Sequence, residues 1–589
     1  IDNVVITDYR VPLIDFDQTS SVKTVTAEAI ANSPLKNVQG LAATSAGLSA
    51  DGDGNISIRG ARSNATNYYV DGIRVTNAGL IPASEIEQLQ VITGGLAARY
   101  GDVTGGVISL TSKGPSERFS GGFEAETSEF LDDYGFNFLN GNISGPILKK
   151  NGKSVVGFRA NFQYVGQRDD RPSAVGVYRM PEETIRDLEA NPVYQLSGVD
   201  FPRAELLGAS DLPEPIATRP NEERFDLDIT AKIDARLSEN IDVSISGILG
   251  QDQNRFTPGG GFGMFNWTRN PYNYGDNYRI NGRWRHKIGK QGLPESKDEL
   301  GGATVLRNAS YILQVGIENT QQLTEDFIHQ DRFFDYGLYG TKEVSSTPQG
   351  GFVAEDWSGA GKIEVFPGTF IDHVTFSQNE TAFSPFLDEA QSVLSPNPVL
   401  AQYQSINGRL VGASVNVWNS NFFNNVGRVY NNYRKFDFTR NTINFDAQLD
   451  LLPGGSIKNR HNIQFGGNIE IRNNRRWSIN PRELWTMAID AANSHFVAGV
   501  DTTVFTGGVF DGPPPFGEIP LQEYGRLIEI DPDKKFYQEI RNLYGLSLND
   551  FVNIEGVGID KNLSLDLFSA SELINWRQLN LDYYGYDYL

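Results

Sequence analysis

No cysteine occurs among the 589 residues of this chain. That excludes disulfides, thiolate metal sites, cysteine nucleophiles and a lipid-bearing cysteine within the span. No apolar run approaches the roughly 18–20 residues of a membrane-crossing helix, and the mean hydropathy is −0.36. Positive charge is short: 51 Lys and Arg stand against 73 Asp and Glu, a net −22, which would repel the phosphates of nucleic acid. Nucleic acid is therefore not expected as a partner.

Catalytic signatures are missing as well. His286, His329, His373, His461 and His495 are far apart in sequence, with no pair at ligand spacing and no HExxH. No GxSxG is present, and without cysteine few nucleophiles remain. Asp51-Gly52-Asp53-Gly54-Asn55 opens like a calcium loop. However, Ile56 stands where that loop needs Gly, and Arg62 where it needs a bidentate Glu. The glycine-rich run Pro258–Gly263 lacks the Lys-Ser/Thr of a phosphate loop. Acidic pairs such as Asp132-Asp133 and Asp169-Asp170 read as solubilising loop charge. The expectation is a protein with no catalytic residues, no metal site and no cofactor.

What the chain does have is a period of two. From residue 119 onward apolar and polar residues alternate, as in Phe225, Leu227, Ile229, Ala231, Ile233 and Ala235 against Asp226, Asp228, Thr230, Lys232 and Asp234. Similar runs lie at 119–127, 156–164, 243–251, 311–317, 443–451 and 463–471, with weaker ones at 136–147 and 275–286. So many charges on one strand face suit a water-filled lumen, with the apolar set turned to lipid. On 156–164, 225–235 and 463–471 this puts Arg159, Asn161, Asp228, Lys232 and Glu470 inside. Connections alternate between tight turns (148–153, 237–241, 453–461) and long segments (166–223, 252–274, 321–440). Outer-membrane barrels show this asymmetry, with the short side periplasmic.

Upstream, Ile56-Ser57-Ile58-Arg59-Gly60 and Tyr68-Tyr69-Val70-Asp71-Gly72-Ile73 precede 86–114, IEQLQVITGGLAARYGDVTGGVISLTSKG. Around that last stretch, Glu85 to Gln88 reads as a short helix-like lead and Gly105–Lys113 as a strand. The ordered succession resembles the plug domain of TonB-dependent outer-membrane receptors. The residues that carry it are Arg59, Gly60, Asp71, Gly72, Gly94, Gly95, Arg99, Tyr100, Gly101, Gly105 and Gly106. The resemblance implies a transmembrane antiparallel β-barrel, of about 22 strands when complete in this family, with an N-terminal α/β plug domain in its lumen. It further implies that Arg59, and Arg99 in place of the family arginine that falls at Thr93, face carboxylates on the barrel wall.

The first residues fit the same family. Asp2, Val4, Val5, Ile6 and Thr7 lie in a β-prone run that resembles the TonB box, an extended peptide captured as an added strand. The resemblance implies residues 1–18 as coupling segment and tether, 19–114 as plug, and 115–589 as the N-terminal part of the barrel with long extracellular loops. It implies location in a bacterial outer membrane, in contact with its lipid. A TonB-type transducer in the periplasm, an unidentified small or oligomeric substrate and other outer-membrane or surface proteins are the implied partners. The segment LAARYGDVTGGVI (96–108) differs from the AAAIYGSRAANGVI of large glycan importers, so a Bacteroidota-like receptor outside that subtype is expected. Nine strands, ending outside, lead us to expect that at least half of the barrel lies beyond this sequence. The resemblance implies active import; the alternative is a plugged-barrel scaffold subunit that transports nothing. A passive porin fits less well, because the plug would fill the lumen.

Overall fold

In a computed structural model the described residues are 21–150 (without 36, 51–54, 77–80 and 97–99), 153–258 (without 191–192 and 197–198), 263–290 and 305–348 (without 335 and 337–339). They continue with three short strands within 352–378, then 430–492 (without 456–459), 500–526 (without 512–516), 534–547, 552, 554 and 562–575.

The N-terminal region is a small α/β body. Its sheet contains β1 (Ser21–Thr26), β4 (Thr66–Val70), β5 (Ile73–Val75), β6 (Ile86–Gly94) and β7 (Gly106–Ser112), after the hairpin β2 (Leu48–Ala50) and β3 (Ile56–Ile58). The spatial order is β1-β6-β7-β4-β5, antiparallel except for the parallel β4–β7 pair. Two short helices, Ala27–Ala31 and Val38–Ala43, begin at Thr26 and Asn37, whose side chains accept from the amides of Ala29 and Gly40. Ile30, Val38, Leu41, Ile56, Ile58, Ile86, Leu89, Val91 and Ile108 form the core. The expected helix-like lead at Glu85–Gln88 is absent. Ile86–Gly94 is one strand, paired on one side with β1 and on the other with β7, and that pairing outweighs local helix preference.

The second body is one antiparallel meander of nine strands. They are β8 (Ser120–Thr127), β9 (Asn137–Lys150), β10 (Lys153–Gln167), β13 (Arg224–Arg236), β14 (Ile241–Arg255), β15 (Tyr272–Ile288), β16 (Val305–Glu325), β21 (Tyr433–Leu452) and β22 (His461–Ile479). All nine fall where the alternation places them, though most are longer; β16 runs over 21 residues. The intervening excursions hold the hairpin β11 (Val193–Leu196) with β12 (Val199–Pro202), and the pair β17 (Gly340–Pro348) with β20 (Phe370–Gln378). A four-stranded sheet joins β18 (Phe352–Ala354), β19 (Ile363–Phe366), β23 (Val500–Asp511) and β24 (Glu518–Arg526). Beyond the outer end of β22, the helices Pro481–Ala492 and Lys535–Tyr544 share a core with Phe334, Tyr433, Ile479 and Phe568.

The nine-stranded sheet is inside out relative to a soluble domain. Phe162, Ile229, Ile233, Ile245, Leu249, Ile280, Leu313, Val315, Ile443 and Ile469 are exposed, while Asn161, Asp228, Arg279, Gln314, Glu318, Arg440 and Asn444 are buried. An exposed apolar band over a buried polar face is what lipid outside and a plugged lumen inside require. On the outer face His286, Tyr311, Phe445 and Phe465 form a row of ring contacts with centroids 5.4, 6.3 and 6.3 Å apart.

Facing gives a direct test. Phe162→Arg puts a charge on the lipid side at a cost of about 2–4 kcal/mol, so membrane assembly should fall sharply. Gln163→Arg, opposite Asp228 in register, should assemble normally. Heat-modifiable gel mobility reads both, and equal loss would overturn the facing.

Candidate functional site

The plug meets the wall through polar contacts. Ala83–Glu85 forms a single 3₁₀ turn at the head of β6, closed by the Glu85 amide donating to the Pro82 carbonyl at 2.9 Å. That turn points the Glu85 carboxylate at β10, where Arg159 grips it bidentately at 2.5 and 2.8 Å. Their side chains are 7% and 12% exposed. Beside them the Lys113 ammonium donates to the Ser84 carbonyl at 2.7 Å. Burial and then the nearby Arg159 push the Lys113 pKa down. Asn161 reaches Ser84 Oγ at 3.3 Å, so this wall position is packed against the plug rather than facing open lumen.

A second contact forms at the turn between β4 and β5. Asp71 has φ +48° and Gly72 φ +89°, a left-handed pair for which glycine at the second position removes the Cβ penalty. The Asp71 carboxylate accepts from the Ser112 amide at 2.8 Å and from its hydroxyl at 2.6 Å. From the wall, Lys232 donates to Ser112 Oγ at 2.9 Å and sits 3.6 Å from Asp71. The backbone of the turn is held too: Gln314 donates to the Asp71 carbonyl at 2.8 Å and Asn444 to that of Gly72 at 3.3 Å.

The third contact centres on Glu318 of β16. Its carboxylate accepts from the Thr76 amide at 3.1 and 3.2 Å, from Arg279 at 3.1 Å and from Arg440 at 3.2 Å. Arg440 also lies 2.8 Å from Glu470, which pairs in turn with Arg472. The wall thus carries its own chain of alternating charges, with plug Thr76 docked at one carboxylate. Among the buried residues of the plug's core cluster, Ile248 is the wall's contribution.

Arg59 does not point at the wall. With φ +52° it turns back within the plug and donates to Thr93 Oγ1 at 3.2 Å. The wall carboxylates Glu318 and Glu470 already hold Arg440, and Thr93 offers Arg59 a local acceptor. For Arg59 the expected contact is therefore corrected among the described residues, and at Glu85–Arg159 the carboxylate is on the plug and the guanidinium on the wall. Of the other motif residues, Gly60 completes the turn after β3, Gly94 ends β6, Gly95 follows it in a bend, and Gly101 lies in the loop beyond. Tyr100 meets Tyr69 edge-on at 5.0 Å. Gly105 and Gly106 lead into β7, and a Cβ at Gly106 would lie 2.7 Å from Ile58 and 2.8 Å from the Ile92 carbonyl. Arg99, Asp2, Val4, Val5, Ile6 and Thr7 lie outside the described residues, as do positions 51–54.

Sequence reasoning missed Glu85, Glu318, Arg279, Arg440 and Thr76. Two of them fell just past the expected strand limits, 311–317 and 443–451. The strand alternation continues through Glu318 and Arg440 and could have found them.

Above the wall, Asp169 and Asp170 are not loose solubilising charge. Arg219 binds Asp169 at 2.5 Å, Asp170 at 3.1 Å and Glu222 at 2.7 Å. These three carboxylates come within 4.8 Å of one another, and the guanidinium occupies the space between them. Burial pushes the Asp169 pKa up, but hydrogen bonds from Arg219 and from backbone amides outweigh it and hold the carboxyl below its ordinary value. A depressed folded pKa means stability present above the unfolded pKa and lost as pH falls through the folded one. Proteolysis of loop 168–223 should thus be unchanged from neutral pH down to the ordinary carboxylate pKa of about 3.9 and rise only below it. A rise already at pH 6 would contradict this pin.

An α/β plug seated by polar contacts on the buried face of an inside-out antiparallel sheet defines a plugged transmembrane β-barrel of a bacterial outer membrane. Residues 15–107 match the family described as TonB-dependent Receptor Plug Domain. The chain is similar to the vitamin B12 transporter BtuB of Vibrio vulnificus, 36% identical over 18% of this chain and 20% of that protein. It is similar to the iron-regulated outer membrane virulence protein of Vibrio cholerae, 28% identical over 28% of this chain and 26% of that one. The ferric enterobactin receptor PirA of Pseudomonas aeruginosa is 26% identical over 31% and 28%. These relatives are named as transporters, receptors or membrane proteins, not as enzymes. The chain spans 20–28% of their length.

Proposed function

We propose that this protein is an outer-membrane active transporter that binds substrate at its extracellular loops and admits it when an energy transducer remodels the plug. The observation that carries this reading is the plug–wall interface itself. Glu85–Arg159, Asp71/Ser112–Lys232 and Thr76–Glu318 are discrete polar contacts that a pull can break one by one. Buried ion pairs roughly cancel desolvation against attraction, which suits an interface that must open and reseat. In this reading residues 1–18 are coupling segment and tether, 19–114 the plug, and 115–589 wall and loops. Asp2, Val4, Val5, Ile6 and Thr7 are the segment captured by a periplasmic TonB-type partner. The relatives are named for vitamin B12, for iron regulation and for ferric enterobactin, which makes those compounds the first probes of uptake. The finer placement, a Bacteroidota-like receptor outside the large glycan-importer subtype, rests on LAARYGDVTGGVI (96–108) alone, and the relatives come from Vibrio and Pseudomonas.

Val5→Pro removes a backbone donor and blocks strand addition. Uptake of whichever of vitamin B12, ferric enterobactin and spermidine the parent chain accumulates should fall to background with the variant, while surface level is unchanged. Uptake that survives Val5→Pro, or that never exceeds background in the parent for any of the three, would favour the scaffold reading.

A further inference from the structure

We propose that the lumen wall above the plug carries a binding site for an extended organic cation, a ligand with two or more ammonium or guanidinium groups, formed by Asp226, Asp228 and Asp252. The inference deepens the transporter reading by naming a substrate class. On β13 the inward positions descend to Lys232, which holds plug Ser112. Four residues toward the outer end, about 13 Å along the strand, comes Asp228. Thr230 lies between them, and its register partner Ile248 packs into the plug core. Asp228 is therefore the first inward charge above the plug. Asp226 is two residues further out, and Asp252 is its direct register partner on β14.

Like charges directly opposite on neighbouring strands repel, so this arrangement calls for a counter-charge. Asp226 has the exposed Arg224 at 3.0 Å. Asp252 leans over Gly275 on the next strand, where a Cβ would collide with its carboxylate, so the bare backbone makes room for it. Asp228 is 9% exposed. Among the described residues it accepts no hydrogen bond and joins no ion pair; its neighbours in charge are Asp226 and Asp252. A buried, unpaired carboxylate is costly, and here two more carboxylates add to that cost. Arg224 answers Asp226 from the exposed side, and a cation from outside the chain would answer Asp228 and Asp252.

A single metal ion fits poorly. Among the described residues the carboxylate trio close enough to share one ion is Asp169, Asp170 and Glu222, and Arg219 fills it. The lumenal three are spread along two strands, as separate cationic groups on one molecule would require.

Spermidine is a suitable probe, titrated calorimetrically into the purified full chain in detergent at low salt, with citrate and magnesium as controls. Saturable spermidine binding should weaken about tenfold in Asp228→Asn and vanish in Asp228→Asn/Asp252→Asn, and should fall with added salt. Citrate should not bind, and equimolar magnesium should not displace spermidine. Absence of binding, binding unchanged in the variants, or displacement by magnesium would overturn the site. Should Asp228→Asn fail to assemble, Asp226→Asn and Asp252→Asn singly carry the same test. Loss of the transporter reading would show in the Val5→Pro uptake experiment, which leaves spermidine binding untouched.

Discussion

Uptake is expected to fall to background when the plug is bridged to the wall through Ser84→Cys and Asn161→Cys, and to return when the bridge is cut. The chain has no cysteine of its own, so a short cleavable dithiol-reactive linker would react at these two positions alone. Their side chains already meet, with Asn161 Nδ2 3.3 Å from Ser84 Oγ, and the linker need not displace the plug. Each single variant should transport normally: Ser84→Cys loses one weak neutral hydrogen bond and Asn161→Cys two, to Ser84 and Asn140, each worth about 1 kcal/mol. If the linked protein still transports, the substrate passes without movement of this side of the plug, and the path must open near Thr76 instead.

Breaking Glu85–Arg159 is the second large effect. Glu85→Ala leaves a guanidinium that is 12% exposed without its bidentate partner, and removing one member of a buried pair costs about 3–5 kcal/mol. The plug should become protease-sensitive, and its unfolding midpoint in denaturant should drop well below that of the wall. Glu85→Ala/Arg159→Ala should recover most of the loss, because no orphaned charge remains. A single variant as stable as the parent would show that water satisfies the guanidinium, and that the pair does not hold the plug.

The wall was legible in the sequence almost strand for strand. Alternation such as Phe225 to Ala235 survives because lipid and lumen impose opposite demands on neighbouring residues. The plug was legible by resemblance, including Asp71-Gly72 and Gly105-Gly106, where backbone geometry restricts the residue type. The partners across the interface were not. Nothing local in Glu85 says that it meets Arg159, 74 residues away, because a register on one strand carries no record of what lies across a lumen. Arg59 was misread for the same reason: its motif position was recognisable, but Thr93 as its acceptor was a matter of tertiary placement.

The outer aromatic row has a consequence for how the molecule floats. His286, Tyr311, Phe445 and Phe465 cross four adjacent strands near the ends joined by Pro453–Gly455. His286 and Tyr311 carry a polar tip that suits the boundary between hydrocarbon and headgroups, and Phe445 and Phe465 continue the row with wholly apolar rings, so the row acts as a waterline drawn on the hull. It sets the draught of the whole body, and with it how far below the bilayer surface any load suspended from the plug must hang. A membrane of different thickness would then leave the lower side at its mark and take up the mismatch entirely on the upper side, among the loops that meet the outside world.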